Sequence, residues 1–552
     1  MDRFGIRLRE ILIAGDGSSR RALAILAAAV IIVVTAWWWI GQVVVIPLSP
    51  TGQQKLACIS YAPFRGSQTP LDPATRVTAA QIEDDLRRLA SITNCIRTYS
   101  ISHGLDQVPQ VAERLGFKVI LGLWLSSDRA NNRAEVEGAI ALAKRYPQVI
   151  DAVVVGNEVL LRGELSAGDL TGIMREVKAA VQVPITYADV WEYWLRNRDL
   201  AAAADFITIH ILPYWEDDPV SARAAGGHVG SIRNRVAAAF SGREVLIGEV
   251  GWPSEGRMRR GALPSPSNQA LVIADVVARA ARQGYRVNVI EAFDQPWKRA
   301  LEGTVGGYWG LFDAASRHAK FALGQPVSDH PFWPWLALGG AVLVLAIFAA
   351  VWFGAGGLQG AVPALLWLVI AVNAVTAGVF AGWAIERSMI ESFGVAGTVR
   401  AAVLSFLAVA VPVIASAALA RGEALPSFAQ MLGGCRERPT TLAGVAGGAA
   451  LIVLTLVATE VTLGLVFDPR YRDFPFAAFT AATVPLLLLR LIAPRERGLP
   501  GAAEIAAATL LVLGAAFIGF NEGLANWQAW WLVATLLALG VTLGLAQDAQ
   551  GS

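Results

Sequence analysis

The stretch AVVVGNEV, residues 152–159, carries the decisive pattern of this chain: an apolar run that ends in an amide and a carboxylate. A second stretch, VLIGEVGWPS at 245–254, repeats the arrangement with another carboxylate. Short, continuous apolar runs are typical of strands that are buried on both faces, as in parallel sheets. The two stretches therefore predict two buried strands that bring Glu158 and Glu249 to the same end of one sheet.

Six further apolar runs belong to the same pattern, and amphipathic helical segments separate them. The eight runs are 56–63, 95–100, 118–125, 152–158, 185–191, 206–214, 245–253 and 287–297. Eight strand-then-helix units predict a (β/α)8 TIM barrel over residues 53–328. A doubly wound open sheet is the alternative. However, the turn at 64–67, Phe-Arg-Gly-Ser, lacks the glycine-rich phosphate loop that nucleotide chemistry would need.

The remainder of the chain predicts an all-α polytopic transmembrane domain. Only 16% of the residues are charged and the mean hydropathy is +0.48, which is too apolar for a purely soluble protein. Residues 1–21 carry five arginines, and 22–46 is long enough to span a bilayer as an anchor helix. A cleaved signal peptide is the alternative for 22–46, but the apolar run is long and no A-x-A site follows it. Seven further spans are predicted within 332–546, near 332–353, 361–385, 398–420, 441–466, 474–493, 501–520 and 527–546.

Charge patterning predicts the orientation of these spans and the class of partner. With the N-terminus inside, the inner loops hold more arginine than the outer loops, which places the barrel outside. Glu460 falls inside a predicted span near its outer end, where its carboxylate is expected to reach the interface. The net charge is only +2 and no basic stripe with interleaved aromatics is present, so nucleic acid is not expected as a partner.

Three cysteines, Cys58, Cys95 and Cys435, form no CxxC pair, so no metal or redox motif is predicted. Cys58 and Cys95 begin neighbouring strands at the end of the barrel away from the two glutamates. We expect two buried free thiols here, with a disulfide as the alternative.

Two carboxyl groups that face one barrel mouth are the usual apparatus of glycosidic bond cleavage. One carboxyl must be protonated to assist the leaving oxygen, and the other must be ionised to attack the anomeric carbon. Their surroundings must therefore separate their pKa values. The pair Glu158 and Glu249 predicts this chemistry without any metal or organic cofactor.

The motifs around both glutamates resemble the two signatures of glycoside hydrolase family 17. These are Val-Gly-Asn-Glu-Val at 155–159 and Ile-Gly-Glu-Val-Gly-Trp-Pro-Ser at 247–254. Supporting stretches follow in the family's order: IRTYS at 96–100, HILPYWE at 210–216, EAFDQPWK at 291–298 and GYWGLFD at 307–313. The resemblance covers essentially all of 53–328. It implies a retaining enzyme with Glu158 as acid/base, Glu249 as nucleophile and carboxyl groups about 5–5.5 Å apart.

The resemblance also implies a set of substrate-binding residues around the mouth. Asn157 would bond the sugar 2-hydroxyl, and Tyr214 would donate to Glu249. Arg97 and Tyr99 would contact the substrate or, alternatively, orient the carboxylates from below. His210 would belong to the site or, alternatively, be a core histidine with satisfied hydrogen bonds. Trp191, Trp194 and Trp215 would form an acceptor side, with loop packing as the alternative. The full predicted set is Tyr61, Arg97, Tyr99, Asn157, Asp189, His210, Tyr214, Trp252, Phe293, Asp294, Trp297 and Trp309.

The complete architecture resembles a group of bacterial inner-membrane proteins labelled β-(1,6)-glucan synthases. No nucleotide-sugar motif is found in the sequence, so new linkages would arise by transglycosylation from a β-1,3-glucan donor. The resemblance implies elongation, branching or cyclisation of periplasmic glucan, in contact with the bilayer and with a membrane glucan synthase as a partner. A β-1,3-glucan hydrolase is one alternative, and a sugar-binding scaffold or transporter subunit is the other.

Overall fold

The computed structural model describes residues 17–46, 55–322, 324–354, 363–433, 441–493 and 500–545. Two compact units divide the chain: Val43–Val327 forms one, and Met1–Gln42 together with Ser328–Ser552 forms the other. The predicted cytoplasmic segment 1–21 lies mostly outside the described residues, as does Cys435.

Eight parallel strands close into a barrel in which every strand pairs with its sequence neighbours, and β1 pairs with β8. This confirms the predicted fold class. The strands are β1 Cys58–Ser60, β2 Cys95–Arg97, β3 Lys118–Leu123, β4 Ile150–Asn157, β5 Ile185–Val190, β6 Ile207–His210, β7 Val245–Val250 and β8 Val287–Val289. All six residues of β7 are buried, as its unbroken apolar run predicts.

Helices of the barrel unit follow the strands. They are Ala79–Leu89, Val108–Leu115, Arg129–Arg145, Ala167–Ala180, Trp191–Arg196, Ala222–Ala239, Pro266–Gln283 and Arg299–Gly306. Local sequence explains several of their starts: the side chains of Thr78, Asp128, Ser166 and Ser265 each accept a hydrogen bond from a first-turn amide. These caps end the loops at defined residues and so help to fix the barrel mouth.

Several observed strands are shorter than the predicted apolar runs. The run 287–297, for example, contains only the strand Val287–Val289. The following residues leave the ladder and bond across the mouth instead: the Ala292 amide donates to the Ser60 carbonyl, and the Phe312 amide donates to the Ala292 carbonyl, both at 2.9 Å. Apolar periodicity does not separate a strand from a buried loop that continues it.

Cys58 and Cys95 form a disulfide, so the expectation of two free thiols is wrong. The cause is the register of β1 and β2. Ile59 lies opposite Ile96, which sets the two preceding cysteines side by side with 4.5 Å between their Cα atoms. That separation is within the range that a disulfide requires.

The second unit is helical and apolar. Its helices are Gly17–Ile40, Trp333–Gly354, Ala364–Glu391, Gly394–Ala420, Phe428–Leu432, Leu442–Phe467, Phe476–Ile492, Ala502–Glu522 and Trp527–Gly544. Seven of these are long and apolar enough to cross a membrane, which indicates a multi-pass membrane protein. The predicted span at 474–493 is a helix of only 17 residues, Phe476–Ile492, because it begins after Pro475 and ends at Ala493. Glu460 is half exposed and accepts from Arg400 at 3.1 Å, in agreement with a carboxylate near an interface.

The disulfide gives a prediction about thiol content. The denatured but unreduced chain should react with one equivalent of maleimide, at Cys435, and the reduced chain with three, as counted by intact-mass spectrometry. The chain-entropy model assigns a cross-link over 37 residues about 4 kcal/mol of stability. The double substitution Cys58→Ala/Cys95→Ala should therefore lower the melting temperature, whereas Cys435→Ala should not. Three reactive thiols before reduction would contradict the pairing.

Candidate active site

Three titratable side chains meet at the carboxyl ends of the barrel strands. Glu158 directly follows β4, His210 ends β6, and Glu249 lies near the end of β7. One nitrogen or oxygen atom from each of these side chains lies within 4.8 Å of the other two. Sequence motifs about 90 residues apart are thereby brought into one mouth, as expected for a barrel of this type.

The backbone at the end of β4 turns sharply to present Glu158. Gly156 has φ of +87° and Glu158 has φ of +51°, both in the left-handed region. A Cβ atom at position 156 would lie 2.7 Å from Cγ2 of Val159, so this turn requires glycine. The Glu158 amide donates to the carbonyl of Ala188 at 2.8 Å, which anchors the turn. A non-glycine residue in this region is a form of local strain that is often found at functional sites.

Glu249 is held in a nearly dry environment by Arg97. Their side chains are 6% and 1% exposed, and Nη1 of Arg97 donates to Oε1 of Glu249 at 2.9 Å. Arg97 also donates to the Gly248 carbonyl at 3.0 Å and to Oδ1 of Asn157. Burial raises the pKa of Glu249, but His210, Arg97 and Lys298 outweigh burial and keep that pKa below its usual value. These charges therefore favour the ionised form of Glu249.

Glu158 lies in a more open environment. Its side chain is 24% exposed, and Oε1 is 2.8 Å from Nδ1 of His210. Asp189 lies nearby and is fully buried. Its carboxylate accepts hydrogen bonds from the Tyr187 hydroxyl and the Val190 amide. Burial, with a smaller contribution from the Glu158 charge, raises the pKa of Asp189 to about 6, although the Tyr187 hydrogen bond opposes the rise. The two glutamates thus differ in both solvation and countercharge, which is the asymmetry that paired acid and nucleophile roles need.

Lys298 and Glu291 belong to the site, although the sequence did not single them out. Nζ of Lys298 lies 2.9 Å from Oε2 of Glu291, and both groups are largely buried. Burial raises the pKa of Glu291, whereas the Lys298 charge lowers it. Both residues belong to the motif EAFDQPWK that carried the family resemblance, so this motif could have identified them as site candidates. Only the packing shows that their charges act on Glu249.

The hydroxyl of Tyr214 donates to the carbonyl of Arg257 at 2.8 Å. The predicted donation from Tyr214 to Glu249 stays a prediction. Tyr99 also belongs to the surroundings of the carboxylate: its ring stacks under the Arg97 guanidinium at 4.6 Å. The buried Tyr99 hydroxyl contributes to the lowered pKa of Glu249.

Four other residues of the predicted substrate set make interior contacts around the mouth. Tyr61 donates to Asp85 at 3.0 Å, Trp252 donates to the Leu263 carbonyl at 2.9 Å, Asp294 accepts from Lys320 at 2.8 Å, and the guanidinium of Arg317 covers the Phe293 ring at 3.4 Å. All four side chains are buried. Contact with substrate by these residues stays a prediction.

The tryptophans divide into buried and accessible ones. Trp194 is fully buried and donates to the Thr208 carbonyl at 2.8 Å, so it packs the barrel instead of forming an acceptor platform. Trp309 is stacked on Trp215 with centroids 6.5 Å apart. Trp191 and Trp297 are each partly exposed and remain candidates for contact with sugar.

Known proteins resemble the barrel unit. Residues 58–310 match the family model described as BtgE/BtgC glycoside hydrolase domain. The "Glucan 1,3-beta-glucosidase" of Candida albicans is 28% identical over 270 residues, which cover 44% of this chain and 86% of the relative. The protein of the same name from Saccharomyces cerevisiae is 24% identical over 269 residues, covering 45% and 85%.

A solved structure is also similar, the glycoside hydrolase family 17 β-1,3-glucanosyltransferase from Rhizomucor miehei. It is 24% identical with a TM-score of 0.44, over 49% of this chain and 98% of that one. The resemblance to glycoside hydrolase family 17 that the motifs predicted is confirmed over the barrel.

The buried Arg97–Glu249 pair leads to a stability prediction. Arg97→Met leaves a buried carboxylate without its partner, a change that costs about 3–5 kcal/mol. The double substitution Arg97→Met/Glu249→Gln removes the charge as well and should recover part of the lost melting temperature. Arg133→Met, which breaks an exposed pair with Glu137, is the control and should have little effect. Additive effects of the two active-site substitutions would contradict the coupling.

Proposed function

We propose that the barrel is a retaining β-glucan transglycosylase that takes β-1,3-linked glucan as donor and elongates, branches or cyclises it. The observation that carries the proposal is the approach of carboxylate oxygens of Glu158 and Glu249 to within 4.8 Å. A separation of about 5–5.5 Å between carboxyl groups is characteristic of retaining enzymes, whereas inverting enzymes leave room for a water.

The two half-reactions follow from the asymmetry of the pair. In the first, the Glu249 carboxylate bonds to the anomeric carbon, the glycosidic bond breaks, and Glu158 gives its proton to the departing oxygen. In the second, Glu158 takes the proton of an acceptor hydroxyl, that oxygen bonds to the anomeric carbon, and Glu249 is released. Glu158 ends each cycle protonated, so no cofactor is consumed.

Asn157 supports the same assignment. Arg97 donates a hydrogen bond to Oδ1 of Asn157 and so fixes the orientation of the Asn157 amide. The two Nδ2–H donors of Asn157 therefore point away from Arg97. We assign those donors to the sugar 2-hydroxyl, where a hydrogen bond that strengthens in the transition state is most useful. The substrate class is supported by the relatives, which are named as glucan 1,3-beta-glucosidases.

Transfer and hydrolysis differ only in the acceptor. Trp191 and Trp215 are partly exposed, and the buried Trp309 stacks behind Trp215; the two exposed rings offer apolar surface that would favour a sugar over water. A β-1,3-glucan hydrolase is the second candidate, favoured by the glucosidase names of the relatives. A sugar-binding scaffold has less support, since a scaffold has no need for a buried, ion-paired carboxylate beside a second carboxyl group.

We further propose that the protein resides in a bacterial inner membrane with the barrel in the periplasm. The Cys58–Cys95 disulfide supports an oxidising compartment, and the apolar helices support a multi-pass anchor. The segment 22–46 would anchor the chain, and the domain 332–546 would offer a docking surface for a membrane glucan synthase.

The function is tested with the detergent-solubilised protein and a linear β-1,3-gluco-oligosaccharide, with products followed by mass spectrometry and linkage NMR. We expect products longer than the substrate, or rings, and their loss in Glu249→Gln. Glu244→Gln, a half-exposed glutamate just before β7, is the matched control and should leave the product pattern unchanged. Shorter products alone would establish the hydrolase instead, and the absence of any product would favour the scaffold.

The pH dependence should respond to Lys298. Glu249 attacks only when ionised, and Lys298 is one of the groups that lower its pKa. Lys298→Met should therefore raise that pKa and move the acidic limb of the kcat/KM profile to higher pH. Lys144→Met, at an exposed position on the helix Arg129–Arg145, serves as control. An acidic limb that stays in place in Lys298→Met would count against this electrostatic role.

A further inference from the structure

His210 lies between the two carboxyl groups and contacts them unequally. Its Nδ1 is 2.8 Å from Oε1 of Glu158, which is hydrogen-bonding distance. Its Nε2 is 3.6 Å from Oε1 of Glu249, which is too long for a hydrogen bond, and it is buried without a partner among the described residues. The ring itself has no solvent exposure. One imidazole therefore faces both acids but is bonded to only one of them.

The barrel strands hold this ring in place. His210 is the last residue of β6 and lies opposite Glu249 of β7, and the next amide, that of Ile211, donates to the Glu249 carbonyl at 3.0 Å. A Cβ atom on Gly248 would lie 2.4 Å from Cγ2 of Thr208 and 3.3 Å from Cδ2 of His210. A side chain at position 248 would therefore displace Thr208 and crowd the ring.

The two glutamates depend on different partners. Glu249 is held by the Arg97 guanidinium at 2.9 Å. For the carboxyl group of Glu158, the His210 ring is the one hydrogen-bond partner among the described residues. Removing the ring would leave Glu249 with its ion pair but would free the Glu158 carboxyl to rotate.

We propose that His210 is a positioning residue for the acid/base, whose carboxyl group it holds by a hydrogen bond that the nucleophile does not receive. The imidazole donates from Nδ1–H to Oε1 of Glu158, which reserves Oε2 for the proton that is transferred. Nε2, at 3.6 Å from Oε1 of Glu249, makes no comparable hydrogen bond. The inference rests on the proposed function, in which Glu158 is the acid/base.

Protons balance in this arrangement without a change on the ring. In the first half-reaction the proton leaves Oε2 for the glycosidic oxygen, while Nδ1–H continues to donate to Oε1, now part of a carboxylate. In the second, the acceptor hydroxyl returns a proton to Oε2. His210 neither gains nor loses a proton, so its contribution is the orientation of Glu158.

Two isosteric substitutions distinguish the roles of the two ring nitrogens of His210. The amide nitrogen of Asn occupies the place of Nδ1, whereas that of Gln occupies the place of Nε2. With a β-1,3-gluco-oligosaccharide, we expect His210→Asn to keep kcat/KM within about tenfold of the wild type, and His210→Gln to lose about 10²-fold, a typical contribution of general acid catalysis. The wild type and both variants are compared as full-length protein in the same detergent.

An activated donor then distinguishes acid/base positioning from a structural effect. With a 2,4-dinitrophenyl β-glucoside and azide as acceptor, neither half-reaction needs proton transfer. At neutral pH, where Arg97 and Lys298 still keep Glu249 ionised, both His210 variants should then approach the wild-type rate, whereas Glu249→Gln stays inactive. In the Glu158→Ala background, His210→Gln should cause no further loss with this donor. His228→Gln, at a partly exposed barrel histidine, is the matched control and should resemble the wild type throughout.

Two results would overturn the inference: equal losses with both donors, or a better retention of activity in His210→Gln than in His210→Asn. Insensitivity of an active enzyme to both substitutions would do the same. These outcomes differ from a failure of the proposed function, because in that case the wild type itself would turn over no β-1,3-glucan and no activated glucoside.

Discussion

A buried guanidinium sets the conditions for the rest of the site. Arg97 reaches from β2 across the barrel interior to Asn157 on β4 and to Gly248 and Glu249 on β7. A charge in such a dry place is tolerated when it is paired and hydrogen-bonded, and here the two terminal nitrogens of one side chain bond two carbonyl-type oxygens and one carboxylate. The same contacts keep Glu249 ionised and orient the Asn157 amide. Charge state and geometry at the mouth therefore have one origin.

Loops that follow short strands supply the other charged side chains around Glu249. β8 is only three residues long, and the chain that follows it bonds back to β1 and carries Lys298 and Asp294 into the interior. Lys298 adds positive charge beside Glu249, and Asp294 binds Lys320 and the Gly310 amide. Burial raises the pKa of Asp294 to about 7, so this loop is held by a carboxyl whose ionisation depends on its lysine partner. Site electrostatics and loop structure are thus linked through the same segment.

The two units of the chain follow different physical rules. The barrel interior contains a connected polar network, in which Asn288 donates to both Ser60 and Gly248. The helical unit instead buries apolar faces and places its ion pairs near helix ends, as between His330 and Glu386 at 2.6 Å and between Arg400 and Glu460. A bilayer offers no water to satisfy polar groups, so a membrane-spanning unit keeps such groups few and paired.

The sequence predicted the barrel, the apolar helices, and the meeting of Glu158 and Glu249 at one mouth, and it left a structural alternative open for Arg97 and His210. Apolar periodicity and ordered motifs are local properties, and a closed parallel barrel brings every strand end to the same mouth. Tertiary structure alone decided the pairings: the Cys58–Cys95 disulfide, the Tyr214 hydrogen bond to Arg257, the burial of Trp194, and the action of Lys298 on Glu249. These depend on strand register and on the paths of loops between residues distant in sequence. A pattern read along the chain identifies which groups meet, but hydrogen bonds are decided by distances of a few tenths of an ångström that only packing sets.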